Sequence, residues 1–198
     1  MRLLIIRHGE SEADLLNVHE GRADYELTPK GHAQAKAMSE WIANKYTVNK
    51  IYCSPLKRAY QTASYLSQQV GIPLIAEEKL MEFNNGLIAG LSRDEADKEY
   101  PFVENVPIHA AVYKQESKLE FRFRADFVLS KIMSENPFSD TIAIVSHGGM
   151  INQLFLSFIR APIDCGVSYC TGDTGIHEWV VENQSKKIVF SNSQCHTL

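Results

Sequence analysis

The sequence predicts an α/β fold, a three-layer sandwich in which helices flank a mostly parallel central sheet. Short aliphatic segments alternate along the chain with amphipathic segments of helical length, and two aliphatic segments run directly into polar loops with histidine and glycine. Alternation of strands and helices is typical of parallel sheets with crossover connections. The chain has 198 residues and no visible repeat or linker, so residues 1–198 are predicted to form a single domain.

The first half of the chain repeats a strand followed by a helix. Residues 3–6 predict a buried strand. Thr28 is the predicted N-cap of the next helix and Pro29 its first residue. Apolar residues follow at helical spacing, namely Ala33, Ala37, Trp41 and Ile42. The segment KIYCSP at 50–55 predicts a second strand, and the helix that follows it over residues 56–71 ends at Gly71.

The second half departs from this pattern once and then returns to it. Residues 84–116 contain two prolines and the turn signal NNG, and we interpret them as an excursion from the core. A long amphipathic helix is predicted over about residues 116–135, then a strand over 141–145 and a helix from about Gly149. The alternating segment 175–192 turns at 183–186, which predicts an antiparallel hairpin at the edge of the sheet.

Composition and charge exclude several classes of protein. With 20 Lys+Arg against 24 Asp+Glu the net charge is -4, so no overall positive field draws the chain to nucleic acid or to an anionic membrane. The four cysteines include no CxxC pair, which favours free thiols in a reducing compartment. The apolar run near the N-terminus is too short for a signal peptide or a membrane span. We therefore expect a cytoplasmic protein that binds neither nucleic acid nor membranes.

Charged and titratable residues follow the predicted strands directly. They are Arg7, His8 and Gly9 after the first strand, Arg58 after the second, and His147 and Gly148 after the strand of residues 141–145. The carboxyl ends of parallel strands meet at one edge of a sheet, which is where open α/β sheets bind ligands. We therefore expect these residues to lie in one site, with Gly9 and Gly148 among its substrate-binding residues.

The residue types at this edge indicate an anion site. Two guanidinium groups suit phosphate oxygens, and the amides of the helix that starts near Gly149 add an anion-binding end. Nearby cations disfavour protonation of an imidazole, so His8 is predicted to stay neutral and to act as a nucleophile. Gly9 lets the backbone approach the ligand, and Glu10 is expected to orient Arg7 or His8.

Five stretches of the sequence resemble the histidine phosphatase superfamily, also called the phosphoglycerate mutase-like family, in their order and spacing. They are RHGES at 7–11, GRADYELTPKGHAQA at 21–35, SPLKRAYQTA at 54–63, LMEFNNGLIAG at 80–90 and VSHGG at 145–149. The resemblance covers nearly the whole chain. It implies the phosphoglycerate mutase-like fold, with residues 84–116 lying as a cap-like excursion over the active site.

The resemblance also implies a phosphohistidine mechanism in which His8 attacks phosphorus. The phosphoryl oxygens are then bound by Arg7, Arg58 and His147. Glu82 takes the position of the family's acid, which protonates the leaving oxygen and then activates the water that hydrolyses the phosphoenzyme. No metal and no cofactor are implied, because the cations and His147 neutralise the charge of the transition state.

One position departs from the family pattern. The family usually has asparagine seven residues after the first arginine, and this sequence has Asp14. A carboxylate facing phosphate would repel it, so Asp14 points away, pairs with a cation or is protonated in the complex, and the sequence does not choose among these. Asn17 lies close by and is a candidate for the missing donor, so both are kept as candidate substrate-binding residues.

These residues predict a metal-independent phosphatase of the short, broad-specificity type. Residues 84–116 mix aromatic residues with few cations, which favours a small or moderately apolar phosphate ester as the partner molecule. Two alternatives stay open: phosphoglycerate mutase-type phosphoryl transfer, disfavoured by the short chain, and a catalytically silent module that binds phosphate ligands. A homodimer through the edge hairpin is compatible with the sequence, which does not require one.

Overall fold

A computed structural model of the chain describes residues 1–183 and 185–197. Its sheet has the strand order β3-β2-β4-β1-β5-β6. The strands are β1 (Arg2–Arg7), β2 (Lys50–Cys53), β3 (Leu74–Ala76), β4 (Thr141–Ser146), β5 (Ile176–Glu182) and β6 (Ser185–Ser193). Strands β1 to β4 run parallel to one another, β5 is antiparallel to β1, and β5 and β6 form the predicted antiparallel C-terminal hairpin. The predicted fold class is therefore confirmed.

Helices cover both faces of this sheet. They are α1 (Glu12–Leu16), α2 (Pro29–Lys45), α3 (Lys57–Val70), α4 (Arg93–Glu99), α5 (Lys118–Glu135) and α6 (Gly148–Phe158), with short 3-10 turns at Glu78–Leu80, Gly86–Ile88 and Cys195–Thr197. The predicted cap of α2 is confirmed, because the Thr28 hydroxyl accepts from the Gly31 N–H at 3.0 Å. Helix α3 ends as predicted at Gly71, whose φ of 71° is left-handed. Of the helices in the part of the chain that the structure describes, none has the length and apolar character needed to cross a bilayer.

Two apolar layers sandwich the sheet. Side chains alternate along β1, so Leu3 and Ile5 pack against α5 and α6, whereas Leu4 and Ile6 pack against α2 and α3. Each layer contains fully buried aliphatic residues from the central strands, and Trp179 of β5 is fully buried in the first. Because the central strands β1 and β4 are covered on both faces, their inner positions are apolar, as the run at residues 3–6 is.

The buried face of α2 differs from the predicted one. The residues that it buries are Gly31, Ala35, Met38, Ser39 and Ile42, whereas Ala33 is exposed and Ala37 and Trp41 are only partly buried. The buried stripe includes a glycine and a serine, and the Ser39 hydroxyl donates to the Lys36 carbonyl at 2.7 Å. The apolar residues at helical spacing therefore predict the wrong buried face, and of them only Ile42 is fully buried.

Residues 84–116 are joined to a loop at the sheet edge. The Gly90 N–H donates to the His19 carbonyl at 2.7 Å, and the His19 N–H donates to the Leu91 carbonyl at 2.8 Å. Val18 and Ser92 also form an isolated antiparallel bridge. The excursion contains α4, a helix that the sequence analysis did not predict, and it begins and ends beside the loop that connects α1 with α2.

Candidate active site

Two parallel strands bring His8 and His147 together. Arg7, the last residue of β1, is paired in register with Ser146, the last residue of β4. The next residue of each strand is therefore a histidine at the same edge, and the two imidazole centroids are 5.1 Å apart. His147 is also the N-cap residue of α6. The sheet edge predicted from the sequence is thus where these residues meet.

The imidazole of His8 has a defined orientation. Its Nδ1 lies 2.7 Å from the Gly9 carbonyl oxygen, which can only accept, so Nδ1 carries the proton and Nε2 has a free lone pair. The Arg58 Nε–H points at that lone pair from 3.3 Å. Burial lowers the pKa of His8 well below its ordinary value, and the positive charges of Arg58 and Arg7 lower it further. His8 is therefore neutral near pH 7, with an unprotonated Nε2 that accepts from Arg58.

Arg58 is fixed by the loop that precedes α2. Its Nη1 donates to the Ala23 carbonyl at 3.0 Å and its Nη2 to the Gly21 carbonyl at 2.8 Å. The carboxylate of Glu20 lies 3.1 Å from its Nε. The guanidinium is completely buried, so these contacts and His8 determine its position. The sequence analysis did not predict that residues 20–23 hold the arginine. The available signal was the glycine at position 21, which has a left-handed backbone in the structure (φ 47°) and allows a tight turn.

Arg7 is held on the other side of His8 by the segment before β5. Its Nη1 donates to the Thr171 carbonyl at 2.8 Å, and its Nη2 lies 3.5 Å from the Asp173 carboxylate. Its Nε is buried and has no hydrogen-bond partner among the described residues. Thr171 and Asp173 were missed by the sequence analysis, because they lie between α6 and β5 in a stretch without periodicity.

His147 is buried and partly unpaired. Its Nε2 lies 2.8 Å from the Ser54 hydroxyl, and its Nδ1 has no hydrogen-bond partner within the described part of the chain. Burial is the main reason why the pKa of His147 is well below its ordinary value, and Arg58, His8 and Arg7 lower it further. The sequence analysis did not predict this contact of Ser54 with His147.

Glu82 lies at the start of α6. Its Oε2 accepts from the Gly149 N–H at 2.9 Å, and its Oε1 accepts from the Phe83 N–H at 2.8 Å. A side chain at position 149 would collide with this carboxylate, since a Cβ there would lie 2.5 Å from Oε1. The Arg124 Nη2 donates to the Glu82 carbonyl at 3.2 Å, which fixes the backbone as well. The helix start thus positions the predicted acid.

The structure gives the predicted glycines additional roles. A Cβ at Gly9 would lie 2.6 Å from the Gly31 carbonyl oxygen, so close packing of α2 requires this glycine independently of any ligand. Gly148 is the first residue of α6, and a Cβ there would lie 3.9 Å from Arg7 Nε. The predicted contact of Glu10 with Arg7 or His8 is wrong, because its carboxylate accepts instead from the Thr28 hydroxyl at 2.8 Å and the Lys30 ammonium at 2.6 Å.

Asp14 and Asn17 both have partners at the mouth of the site. The Asp14 carboxylate accepts from the Ser11 N–H at 2.8 Å and thereby caps α1. The side-chain Oδ1 of Asn17 accepts from the Arg93 Nε at 3.0 Å and so holds the start of α4. Their assignment to substrate binding stays a prediction. In residues 1–183 and 185–197 there is no group of three or more His, Cys, Asp or Glu residues that could hold a metal ion.

Comparison with known proteins identifies the family. Residues 3–194 match the model of the histidine phosphatase superfamily, branch 1. The chain is 31% identical to a Hydrogenobacter thermophilus protein named as a phosphoserine phosphatase, over 99% of this chain and 97% of that protein. It is 30% identical to a 2,3-bisphosphoglycerate-dependent phosphoglycerate mutase of Cytophaga hutchinsonii, over 89% of this chain and 87% of that protein.

The fold is also that of a solved phosphatase. The crystal structure of the alpha-ribazole phosphatase from Shigella flexneri superposes with a TM-score of 0.89 at 24% identity, covering 98% of this chain and 97% of that one. At this identity the likeness supports the fold alone, whereas the family match spans the whole site from His8 to His147. The chain therefore belongs to the histidine phosphatase superfamily and is a phosphoric monoester hydrolase.

Proposed function

We propose that the chain hydrolyses small phosphate monoesters through a phosphohistidine intermediate on Nε2 of His8, without a metal ion. One observation carries this proposal. The lone pair of His8 Nε2 lies in a buried site together with two polar nitrogens that lack partners among the described residues, Arg7 Nε and His147 Nδ1. Buried donors without partners are costly, and the oxygens of a phosphoryl group would satisfy them.

In the first step, Nε2 of His8 attacks phosphorus. The N–P bond forms while the bond to the leaving oxygen breaks, and Glu82 gives that oxygen a proton. Arg7 and Arg58 neutralise the phosphoryl oxygens. The Ser54 hydroxyl accepts from the Leu56 N–H at 3.3 Å, so its own proton can point to His147 Nε2. His147 would then carry its proton on Nδ1 and donate it to the phosphoryl group.

In the second step, Glu82 acts as a base. It takes a proton from water, the water oxygen bonds to phosphorus, and the N–P bond breaks to return the lone pair to His8. The backbone N–H groups of Phe83 and Gly149 hold the Glu82 carboxylate in one place during both steps. Catalysis then requires no rearrangement of the carboxylate between its acid and base roles.

The cap-like excursion supports an apolar leaving group. A cavity of about 700 Å³ is lined mainly by residues of the excursion 84–116 itself. Its wall includes Phe83, Ile88, Tyr100, Phe102, Ile108 and Tyr113, and also His19. Two of its lining residues, Phe83 and His19, are the chain neighbours of Glu82 and Glu20. An aryl or branched alkyl phosphate fits this lining better than a bisphosphorylated sugar.

The test is hydrolysis of an aryl phosphate in the presence of EDTA. We expect the wild type to hydrolyse the substrate and His8→Ala to be inactive. The kcat of Glu82→Ala should be about 10²- to 10⁴-fold lower than that of the wild type. His32→Ala is the matched control, because His32 lies in α2 and contacts the Tyr65 hydroxyl at 3.2 Å, away from the described site. The label trapped from a ³²P substrate should be labile in acid and stable in alkali.

Two results would contradict the mechanism: turnover that persists in His8→Ala, or a trapped label that survives acid. Binding of phosphate esters by the wild type without any turnover would favour a catalytically silent binding module. Phosphoserine belongs in the substrate panel, because a relative 31% identical to this chain is named for it.

Phosphoglycerate mutase-type transfer is the second candidate, in which the phosphoryl group passes from His8 to another hydroxyl instead of to water. The resemblance to a mutase over 87% of its length removes the argument that this chain is too short for such a reaction. Incubation of the phosphoenzyme with 3-phosphoglycerate separates the two reactions, since a mutase gives a bisphosphorylated product and a phosphatase gives inorganic phosphate.

A further inference from the structure

Glu20 lies inside the phosphate site and has no role in the mechanism above. Its Oε2 is 3.8 Å from the nucleophilic Nε2 of His8, and its Oε1 is 3.1 Å from Arg58 Nε. Only 19% of its side chain is exposed. A carboxylate therefore lies beside the two atoms that the transferred phosphoryl group must approach most closely.

The geometry brings Glu20 into contact with bound phosphate. Attack by His8 requires its Nε2 within about 3 to 3.5 Å of phosphorus, with the phosphoryl oxygens in reach of Arg58. Oxygens in that position would lie against the Glu20 carboxyl group. An ionised Glu20 would repel them, whereas a protonated Glu20 could donate a short O–H···O⁻ hydrogen bond to one of them.

Two carboxylates compete for the single proton of the Ser11 hydroxyl. The Ser11 Oγ lies 2.6 Å from Glu20 Oε1 and 3.0 Å from Asp14 Oδ2. A hydroxyl group has one proton and cannot donate to two carboxylates at once. While both carboxylates are ionised, one of them therefore lacks this donor, and adding a proton to Glu20 when an anion binds beside it relieves the competition.

The charges that face Glu20 oppose one another. Burial raises the pKa of Glu20, and the negative charge of Asp14 raises it further, against the positive charges of Arg58 and Arg7 and the hydrogen bond from Ser11. The neutral His8 faces its Oε2, and Arg93 of α4 lines the same small depression as Glu20 and Asp14. In the free protein, Arg7 and Arg58 favour the ionised form of Glu20. A bound phosphoryl dianion would neutralise these two arginines, so that protonation of Glu20 becomes easier.

We propose that Glu20 binds the phosphoryl group in its protonated form, as a hydrogen-bond donor, so that binding of a tetrahedral dianion is coupled to the uptake of one proton by the protein. This inference rests on the proposed function, because it assigns the phosphoryl group to the space between His8 and Arg58. It makes Glu20 a substrate-binding residue that favours turnover at acidic pH.

Sulfate is the probe that tests the coupling, since it is a tetrahedral dianion that takes up no proton near neutral pH. Titration calorimetry in two buffers of different ionisation enthalpy measures the protons taken up per sulfate bound. We expect close to one proton for the wild type between pH 7 and 8, and none for Glu20→Gln. The affinity of the wild type should fall about tenfold per pH unit in this range, and that of Glu20→Gln should stay flat.

Glu26→Gln is the matched control, because Glu26 lies in the same loop, is half exposed and pairs with Lys57 at the surface. It should keep the proton uptake of the wild type. Glu20→Ala serves as a second variant if Glu20→Gln fails to fold. Equal proton uptake by the wild type and by Glu20→Gln overturns the inference, as does wild-type binding without proton uptake.

Failure of this inference is distinguishable from failure of the proposed function. If the aryl phosphatase activity depends on His8 but proton uptake does not depend on Glu20, the phosphohistidine mechanism stands and only the role of Glu20 is wrong. If the wild type neither binds sulfate nor turns over aryl phosphate, both are wrong.

Discussion

At the scale of single residues, the two imidazoles of the site are held differently. His8 donates from Nδ1 to the Gly9 carbonyl and accepts on Nε2 from the Arg58 Nε–H at 3.3 Å. His147 contacts Ser54 through Nε2 and leaves Nδ1 unpaired within the described residues. Burial and the two arginines hold the pKa of both rings well below the ordinary value. If activity is lost between pH 6 and 7, the cause should therefore be the titration of a group other than His8 or His147.

Asp14→Asn should shift the pH dependence of turnover. The charge of Asp14 raises the pKa of Glu20, so removing it lowers that pKa and moves the falling limb of kcat/KM to lower pH. The amide oxygen of asparagine can still accept from the Ser11 N–H, so the capping box of α1 should remain. The measurement is kcat/KM against pH for the variant and for Asp94→Asn, an exposed acidic residue of α4. Superimposable profiles of Asp14→Asn and the wild type would remove Asp14 from the site.

The sequence predicts the residues that follow strands better than the residues that come from loops. Arg7, His8 and His147 were predicted because strand ends in a parallel sheet must meet at one edge. Glu20 and Asp173 were missed because their approach to the site depends on the path of irregular segments, which no periodicity encodes. Glutamate in a polar loop is usually a surface charge, and only the contacts of Glu20 distinguish it.

At the scale of single elements, the start of α6 depends on two glycines in different ways. Gly149→Ala should lower kcat about 100-fold, because the new Cβ would lie 2.5 Å from Glu82 Oε1 and displace the carboxylate. Gly148→Ala should lose much less, since its Cβ would meet its nearest atom, Arg7 Nε, at 3.9 Å.

Steady-state kinetics and denaturant unfolding of both variants test this difference. Alanine favours a helix over glycine by up to about 1 kcal/mol, so neither variant should be less stable for lack of helix propensity. Equal kcat values for the two variants would show that Glu82 does not depend on the open space at position 149.

Short elements were the ones that the sequence did not predict. Helix α1 has five residues, α4 has seven and β3 has three, which is too few for an apolar repeat to become visible. The available signal was local, since Ser11 with Asp14 and Ser92 with Glu95 each form a capping box. Long elements were predicted to within a few residues, and the error in α2 concerned its buried face, not its existence.

At the scale of the whole molecule, a buried histidine couples stability to pH. His177 of β5 accepts the Asn192 N–H on Nδ1 at 3.1 Å, so its proton is on Nε2, 2.8 Å from the Thr171 hydroxyl. Burial lowers the pKa of His177 to about 4. Below about pH 6.5, His177 becomes protonated in the unfolded chain but stays neutral in the folded protein. The free energy of unfolding therefore falls as the pH decreases toward 4.

Unfolding of the wild type and of His177→Gln at pH 7.5 and 4.5 measures this coupling. At pH 7.5 the variant should be the less stable, because it loses hydrogen bonds of the buried ring. The difference in free energy of unfolding should then change in favour of the variant by about 2.5 kcal/mol at pH 4.5. His8 and His147 act equally in both proteins and cancel. A difference that stays constant with pH would mean that His177 does not carry the effect.

The fold class followed from the alternation of strands and helices, but the arrangement of the strands did not. Periodicity indicates that β1 and β4 are each buried, whereas their adjacency in the order β3-β2-β4-β1-β5-β6 depends on contacts between distant parts of the chain. For the same reason the sequence indicated an excursion at residues 84–116 but not its attachment to Val18 and His19.

That attachment limits how this enzyme can be recombined with its relatives. The loop of residues 18–23 holds the excursion through His19 and, two residues later, holds Arg58 through Gly21 and Ala23. The segment that would select the leaving group and the arginine that would bind phosphate thus share one support. In a chimera that receives segment 84–116 from a relative, the contacts of that segment with Val18 and His19 would no longer match. Residues 18–23 should therefore be exchanged together with it.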